Sequence, residues 1–208
     1  MYCPTHFEEQ RQEALQQLIA DHPLAIVIWP SPEGLVADHI PLVLRPATAG
    51  LGQLVGHVAR ANPLWQMDPS HEVLLIFQGP QTYISPNWYA TKADGGKVVP
   101  TWNYVAVHVQ ATLSVVHEPD AVLDILQGLT QKQESSQRHP WQVSDAPEAF
   151  TRTLLNHIVG VRFEIRRMQG KWKVSQNQPG ANRSSVASAL MALEQDNATA
   201  MAQLVTRA

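Results

Sequence analysis

Hydrophobic and polar positions alternate most regularly between Asn103 and Val116, and this stretch anchors the predicted fold. Val105, Val107 and Val109 point to one side of an extended chain, whereas the positions between them carry smaller or polar side chains. A regular period over such a length predicts one long strand, of a kind that suits a barrel better than a small flat sheet.

Shorter apolar runs predict further strands on both sides of this one. They lie at Leu24–Trp29, Leu35–Leu44, Leu51–Val58, Val73–Gln78, Tyr83–Ser85 and Val161–Arg166. Pro41 predicts an edge position or a bulge within the second run, because proline cannot donate to a neighbouring strand. Gly79-Pro80 is expected to join the fourth run to the fifth as a turn.

Helical spacing appears before, between and after the strands. The predicted helices run over 5–21, 119–129, 145–158 and 183–195, with a short capped piece from Asn197. Thr5 and Glu8 have the spacing of a capping box for the first of them. Seven strands without a regular βαβ alternation predict a mainly β fold of the α+β class, an antiparallel barrel with peripheral helices. We expect one domain over 1–180 and a helical extension over 181–208 packed on it.

Composition narrows the class of protein. Of 208 residues, 44% are hydrophobic and only 16% are charged, so we expect another subunit to cover part of the surface. A formal charge of −3 does not favour a general nucleic-acid or membrane binder. Cys3 is the single cysteine, which excludes an intrachain disulfide. No apolar run suits a membrane span or a signal peptide, so we expect a cytoplasmic protein.

The stretch from Gly79 to Tyr104 mixes flat rings with short hydrogen-bonding side chains. It contains Tyr83, Ser85, Asn87, Trp88, Tyr89, Thr101, Trp102, Asn103 and Tyr104. Buried Tyr and Trp need a partner for O–H or N–H, and a half-wet site supplies one. The stretch is therefore either the wall of a pocket for a planar, polar-edged ligand or a pair of aromatic turns packed for stability.

The segment Gly56–Pro63 follows the end of a predicted strand and carries His57, Arg60 and Asn62. The planar fork of Arg60 suits a phosphate, and the other two side chains add hydrogen bonds. The alternative is a strand end with a solvated arginine and a capping asparagine.

The segment Gly170–Asn177 has two lysines on either side of a tryptophan. In a strand, Lys171 and Lys173 point the same way, so together they could neutralise one dianion. The alternative is an exposed strand end with snorkelling lysines.

Other well-known catalytic and binding motifs are missing from the sequence. No H-E-x-x-H or H-x-H spacing indicates a metal, and Ser85 lacks a G-x-S-x-G elbow. Neither a dinucleotide fingerprint nor a P-loop is present, and no helix pair has a basic face for DNA. No catalytic residue is singled out.

Seven motifs occur together and in one order along the chain. They are M-Y with Pro4 and Phe7, A-D-H-I-P from Ala37, G-H-V-A-R-A-N-P from Gly56, F-Q-G-P-Q-T-Y-I-S-P-N-W-Y from Phe77, V-P-T-W-N-Y from Val99, H-P-W-Q-V-S-D-A-P from His139 and G-K-W-K-V-S-Q-N from Gly170. In this combination the chain closely resembles the PaiB family, described as FMN-binding negative transcriptional regulators. The resemblance runs from the first residue to about Arg183.

The resemblance implies an FMN-binding split barrel, similar to pyridoxamine-phosphate-oxidase-like proteins, that forms a homodimer with FMN at the subunit interface. Arg60, helped by His57 and Asn62, would hold the phosphate, with Lys171 or Lys173 arriving from the other subunit. Ser85, Thr101 and Asn103 would bond the ribityl chain or ring edge, and Trp88, Tyr89 and Trp102 would pack near the isoalloxazine.

Two functions follow from the resemblance. The first is negative transcriptional regulation, with DNA or a regulatory protein as partner. The alternative is a flavin-dependent oxidoreductase acting on an unknown small molecule. For direct DNA contact the chain offers one local group of cations, Arg162, Arg166, Arg167, Lys171 and Lys173.

Overall fold

The computed structural model describes residues 1–47 and 50–208. The strands in these ranges are β1 (Glu8–Glu9), β2 (Leu24–Ser31), β3 (Gly34–Pro41), β4 (Val43–Arg45), β5 (Gln53–Ala59), β6 (Glu72–Ile84), β7 (Thr101–Val116) and β8 (Ile158–Lys173). The helices are α1 (Gln12–Asp21), α2 (Pro119–Glu134), α3 (Glu148–Leu155), α4 (Gly180–Met191) and α5 (Asp196–Arg207).

Within the described ranges, all eight strands belong to one open antiparallel sheet. Its order is β3-β2-β6-β7-β8-β5-β4, with β1 paired to β8 off this path. The register places Val27 opposite Asp38 in the first hairpin and Gly56 opposite Val161 between β5 and β8. The predicted antiparallel, mainly β fold with peripheral helices is confirmed.

The chain divides into two compact units. The first unit comprises 1–18, 78–107 and 169–208, and the second comprises 19–77 and 108–168. In the first unit, α4 packs on α5, and Leu190 and Met201 of this helical pair are fully buried. In the second unit, α2 lies over the sheet and buries Ile125 against Val55 and Val116.

The turn expected at Gly79-Pro80 does not exist, and that prediction is wrong. β6 runs without a break from Glu72 to Ile84 and contains both residues. A Cβ at Gly79 would lie 2.7 Å from Leu18 Cδ1 and 2.5 Å from Val105 Cγ2. The glycine is therefore present for close packing against α1 and β7, since a turn is not needed to explain it.

The second predicted strand, Leu35–Leu44, is two strands in the structure. β3 ends at Pro41, and β4 begins at Val43. Leu42 between them is buried and donates its N–H to the carbonyl of Pro23. β3 lies at one end of the sheet order, which agrees with the edge position that Pro41 predicts.

The first helix begins later than the capping-box spacing predicts. Thr5–Phe7 is a 3-10 turn, Glu8–Glu9 pairs with β8, and α1 starts only at Gln12. Glu9 accepts from the backbone N–H of Arg11 at 2.9 Å. The Glu9 carboxylate therefore accepts a hydrogen bond just before α1, and the helix starts later because Glu8 and Glu9 pair with β8.

The later helices also differ from their predicted bounds. α2 continues to Glu134, five residues past the predicted end, and α3 is shorter because Val143–Asp145 forms a separate 3-10 turn. α4 begins at Gly180 and ends at Met191. The short piece expected from Asn197 is a full helix of 12 residues, α5.

The N-terminal segment is tied to β8 in the first unit. The Met1 ammonium donates to Gln169 Oε1 at 3.0 Å, and Cys3 Sγ lies 3.8 Å from the Gly170 carbonyl. Burial raises the pKa of the Cys3 thiol. These contacts continue the pairing of β1 with β8 to the start of the described chain.

Candidate functional site

A polar cavity of about 440 Å³ lies in the first unit, between the start of β7, the end of β8 and the beginning of α4. Thr101 and Asn103 line it from β7, and Lys173 and Ser175 line it from β8 and the residues that follow. Thr101 and Asn103 are two positions apart on β7 and so share a face, whereas Ser175 follows the end of β8 at Lys173.

Two hydrogen bonds connect these pairs across the neighbouring strands. Lys173 Nζ donates to Thr101 Oγ1 at 2.5 Å, and Asn103 Nδ2 donates to Ser175 Oγ at 2.9 Å. The result is a continuous polar patch formed by four side chains on one face of the sheet. We call Thr101, Asn103, Lys173 and Ser175 the polar patch.

Asn103 is the member of the polar patch whose bonding is incomplete. The residue is 1% exposed, and its Oδ1 is buried without a hydrogen-bond partner. A buried amide oxygen left unpaired costs on the order of 1–3 kcal/mol. A buried acceptor without a protein partner is normally met by a bound water or a ligand donor.

Lys173 supplies positive charge to the same cavity. Burial, and then the neighbouring Lys171, lower the pKa of Lys173. No Asp or Glu occurs among the described residues that line the cavity, whereas Lys97 and Lys173 both do. The cavity therefore favours a ligand with acceptor oxygens or negative charge, which would also stabilise the ammonium form.

The opposite wall of the cavity is fixed by Asn182 from α4. This buried residue donates to Thr91 Oγ1 at 3.0 Å, and its Oδ1 accepts from the backbone N–H of Thr91 at 3.0 Å. Thr91 belongs to the 3-10 turn Ala90–Asp94, which follows the buried Tyr89 of the cavity lining. Through Asn182, α4 thus holds this 3-10 turn in place as a wall of the cavity.

Ser175 has a backbone conformation that serves the site. Its φ of 64° lies in the left-handed region, which costs a non-glycine residue on the order of 1 kcal/mol. The chain turns there after β8, and the hydroxyl meets the Asn103 amide. Residues in such conformations cluster at functional sites.

Lys171 does not join Lys173 in the cavity lining. It is 8% exposed, donates to the Tyr2 carbonyl at 3.0 Å, and lies 5.2 Å from the centre of the Tyr104 ring. The ammonium is thus held by a carbonyl and aromatic faces. Spacing alone did not predict this, because Tyr2 is distant in sequence.

The remaining aromatic candidates occupy varied positions in the first unit. Ser85 accepts from the N–H of Asn87 and begins the 3-10 turn that contains the half-buried Trp88. Trp102 is 49% exposed, donates to Gln81 Oε1 at 2.6 Å, and meets the Tyr83 ring edge-on at 6.2 Å. Of this group only Tyr89 lines the cavity.

In the second unit, Arg60 binds carbonyl groups of its own chain. Its Nε donates to the Asn156 carbonyl at 2.7 Å and one terminal nitrogen donates to the Ile158 carbonyl at 2.9 Å. A guanidinium has five N–H groups, so these two bonds leave others for an anion. The arginine also holds the connection from α3 to β8.

His57 and Asn62 flank Arg60 but have different environments. His57 Nδ1 is buried without a partner, and burial lowers the pKa of this imidazole. Asn62 caps the turn Pro63–Gln66 by accepting from Leu64 N–H, and it donates to Asp38 Oδ1 at 3.0 Å. Both ends of the Asn62 amide are therefore in use.

Ser175 and Asn182 are polar residues of the cavity that sequence reasoning did not assign to the site. Ser175 lies within the Gly170–Asn177 motif but its turned backbone leaves no trace in the sequence. Asn182 sits in the first turn of α4, where an exposed polar residue is the ordinary expectation. A buried asparagine of this kind becomes visible only once α4 is placed.

Comparison with known proteins identifies the family. Residues 1–167 match the family described as "Putative FMN-binding domain". A Bacillus subtilis relative named protease synthase and sporulation protein PAI 2 is 29% identical, over 99% of this chain and 96% of its own. The chain belongs to the PaiB family of FMN-binding proteins. An Emericella nidulans relative, named uncharacterized protein AN0679, is 33% identical over 99% of this chain and 96% of its own.

Solved structures confirm the split-barrel fold of this PaiB-family chain. The flavocytochrome Anf3 from Azotobacter vinelandii superposes with a TM-score of 0.58 at 11% identity, over 80% of this chain and 69% of its own. FMN, expected from the motifs, is confirmed as the cofactor of the family.

Membrane-spanning helices and metal-binding clusters are both absent from the described ranges. Across 1–47 and 50–208, no helix is long and apolar enough to span a bilayer. The same ranges contain no cluster of three His, Cys, Asp or Glu side chains that would hold a metal.

Proposed function

We propose that the polar cavity holds FMN and that Thr101, Asn103 and Lys173 are its main polar contacts. The observation that carries this is the buried, unpartnered Asn103 oxygen beside an ammonium group in a cavity of about 440 Å³. Cavities of a few hundred Å³ accommodate planar ligands of this size. FMN supplies electron or hydride transfer when bound, and the chain contributes binding and orientation.

Lys173 is the principal donor in this proposal. One of its three N–H groups binds Thr101, which leaves two for ligand oxygens. Asn182 keeps the facing wall in position through Thr91, and Tyr89 supplies apolar surface to the ring. The residues exclude water from one side of the ligand and orient its polar edge.

Arg60 of the partner subunit is the proposed phosphate ligand, through the N–H groups that the two carbonyls leave unused. Trp88, Trp102, His57 and Ser85 do not line this cavity. We propose that the two tryptophans approach the isoalloxazine, and the other two side chains its polar groups, where two subunits meet. Asn62 and Lys171 are assigned a supporting role, because their polar groups are already bonded within the chain.

FMN and riboflavin titrations test these assignments, with binding followed by flavin fluorescence. We expect Lys173→Met to weaken FMN binding about tenfold or more, since a charge-assisted bond is lost. Arg60→Met should remove the preference for FMN over riboflavin, which lacks the phosphate. Lys132→Met, an exposed lysine on α2, is the matched control. Unchanged FMN affinity in Lys173→Met would place the flavin outside this cavity.

We also propose a regulatory role for the protein. Its Bacillus subtilis relative is named for protease synthesis and sporulation. Of the predicted cation group, Lys171 is buried and Lys173 lines the cavity, so few cations remain for phosphates of DNA. We therefore infer action through a protein partner instead of direct DNA contact.

Promoter DNA binding in a gel-shift assay tests this inference. We expect no salt-sensitive shift with the pure protein, and no difference between the parent and Arg166→Glu. A shift that disappears in Arg166→Glu would establish direct contact. Steady oxidation of NAD(P)H by the FMN-loaded protein would instead favour the oxidoreductase.

A further inference from the structure

Asn103 and Lys173 together present a specific pattern of hydrogen-bonding groups. The Asn103 amide donates to Ser175, so its oxygen is the end that remains for a ligand. Lys173 offers only donors. A ligand that satisfies both must place a donor beside an acceptor, and an N–H group next to a carbonyl oxygen does so.

We propose that this pair recognises the carbonyl–N–H–carbonyl edge of the flavin ring, with Asn103 accepting from the ring N3–H and Lys173 donating to an adjacent carbonyl. The proposal rests on the proposed function, because it assigns one end of the same ligand to one end of the same cavity. It gives the cavity a chemical specificity, for a cyclic imide, that the family relationship does not define.

Three observations favour an imide over a phosphate at this position. A phosphate would satisfy Lys173 but would place acceptor oxygens near the bare Asn103 oxygen, which needs a donor. Burial lowers the pKa of Lys173 and so disfavours its ammonium form. Binding of a neutral carbonyl depends less on that charge than binding of a phosphate dianion does. In the structure the amide nitrogen bonds Ser175, so the oxygen is the end without a protein partner.

Burial makes this recognition selective. Asn103 is 1% exposed, so water does not readily replace a missing ligand donor. A site built to bond an N–H group rejects an analogue without it, because its own buried acceptor is left unpaired. N3-methyl-FMN is such an analogue, since it keeps the phosphate, the ribityl chain and both carbonyls.

The test compares FMN with N3-methyl-FMN on the full chain. We expect the parent protein to bind N3-methyl-FMN about tenfold or more weakly than FMN. In Asn103→Leu this preference should fall to within about twofold, because the acceptor that distinguishes the two ligands is gone. Asn197→Leu, an exposed asparagine on α5, is the matched control and should keep the parent preference.

The outcomes separate this inference from the proposed function. Equal binding of both flavins by the parent, or a preference that survives in Asn103→Leu, would overturn the imide assignment while FMN binding stands. Binding of neither flavin would remove the proposed function itself. The comparison of ligands on the parent protein requires no variant, so it remains decisive even where Asn103→Leu does not fold.

Discussion

At the scale of single residues, the protein keeps several titratable groups in environments that lower their pKa. Lys173, His57 and His108 all have pKa values lowered by burial. In each case the neutral form is favoured, because desolvation penalises the ion. Ligand binding and pH should therefore act on the same groups.

FMN affinity should depend on pH through Lys173. The folded pKa of Lys173 lies below its usual 10.5, and a ligand carbonyl or phosphate favours the ammonium form. Binding is therefore strongest below the lowered pKa and weakens as pH rises through it. FMN titrations across the alkaline range measure this, and Lys173→Met should show a flatter profile. An identical profile in Lys173→Met would contradict the assignment.

His57 should reduce stability in mild acid. Above its usual pKa of 6.5 the imidazole is neutral in both the folded and unfolded chain. Between 6.5 and the lowered folded value, only the unfolded chain takes up a proton, so stability falls as pH falls through this window.

Urea unfolding between neutral and mildly acidic pH measures the effect of His57. Between neutral and mildly acidic pH, we expect the free energy of unfolding to fall less in His57→Gln than in the parent. His139→Gln, at an exposed position, is the matched control and should keep the full decline. A parent-like decline in His57→Gln would show that other groups cause it.

At the scale of elements, the sequence predicts a segment well when its own hydrophobic period shows which face is buried. β7 alternates because one of its faces is buried, so its extent is nearly as predicted. β6 was divided at Gly79-Pro80 because local turn chemistry suggested a break, whereas packing against Leu18 and Val105 keeps it extended. Tertiary contact overrode the local signal.

The candidate site also contains some residues that local sequence pattern predicts and others that only tertiary contact places. Thr101, Asn103 and Lys173 were predicted from their strands and line the cavity together. Lys171 was expected beside Lys173, but Tyr2 and Tyr104 hold it elsewhere. Strand period determines the face of a side chain, and only the folded chain determines the partner that it meets there.

Gly79 should tolerate no added methyl group. An alanine Cβ would lie 2.7 Å from Leu18 and 2.5 Å from Val105, so α1 or β7 must shift. We expect Gly79→Ala to lower the free energy of unfolding by about 1–3 kcal/mol. Gly180→Ala is the matched control, because nothing lies within 4 Å of a Cβ added there and its φ is outside the left-handed region.

Thermal and urea unfolding compare these two glycine variants. Gly180→Ala should be neutral or stabilising by about 0.4–1 kcal/mol, since alanine restricts the unfolded chain. The double variant Gly79→Ala with Leu18→Ala should cost less than the sum of its parts, because the two sites share one contact. Additive effects would show that α1 does not depend on Gly79.

At the scale of the whole molecule, the surface combines low charge with exposed aromatic rings. Charged residues make up 16% of the chain, and Tyr83 and Trp102 are 45% and 49% exposed as a contacting pair. We propose that a homodimer covers this aromatic pair. The contacts of Trp102 with Gln81 and Tyr83 present it in a fixed orientation.

Light scattering coupled to gel filtration tests the homodimer. We expect the parent protein to have twice the mass of the chain, and Trp102→Glu to shift toward the single chain because a carboxylate would be buried without a partner. Trp141→Glu, at a tryptophan of similar exposure, is the matched control. A parent of single-chain mass, or equal shifts in both variants, would contradict this interface.

The position of Cys3 has a practical consequence. It is the chain's single thiol and lies beside Gly170, where the N-terminal segment meets β8. A maleimide dye would therefore attach at one defined point without engineered cysteines, and an alkaline buffer would speed the coupling because burial raises the pKa of the thiol. Detachment of the segment from β8 could then be followed as a change in dye emission.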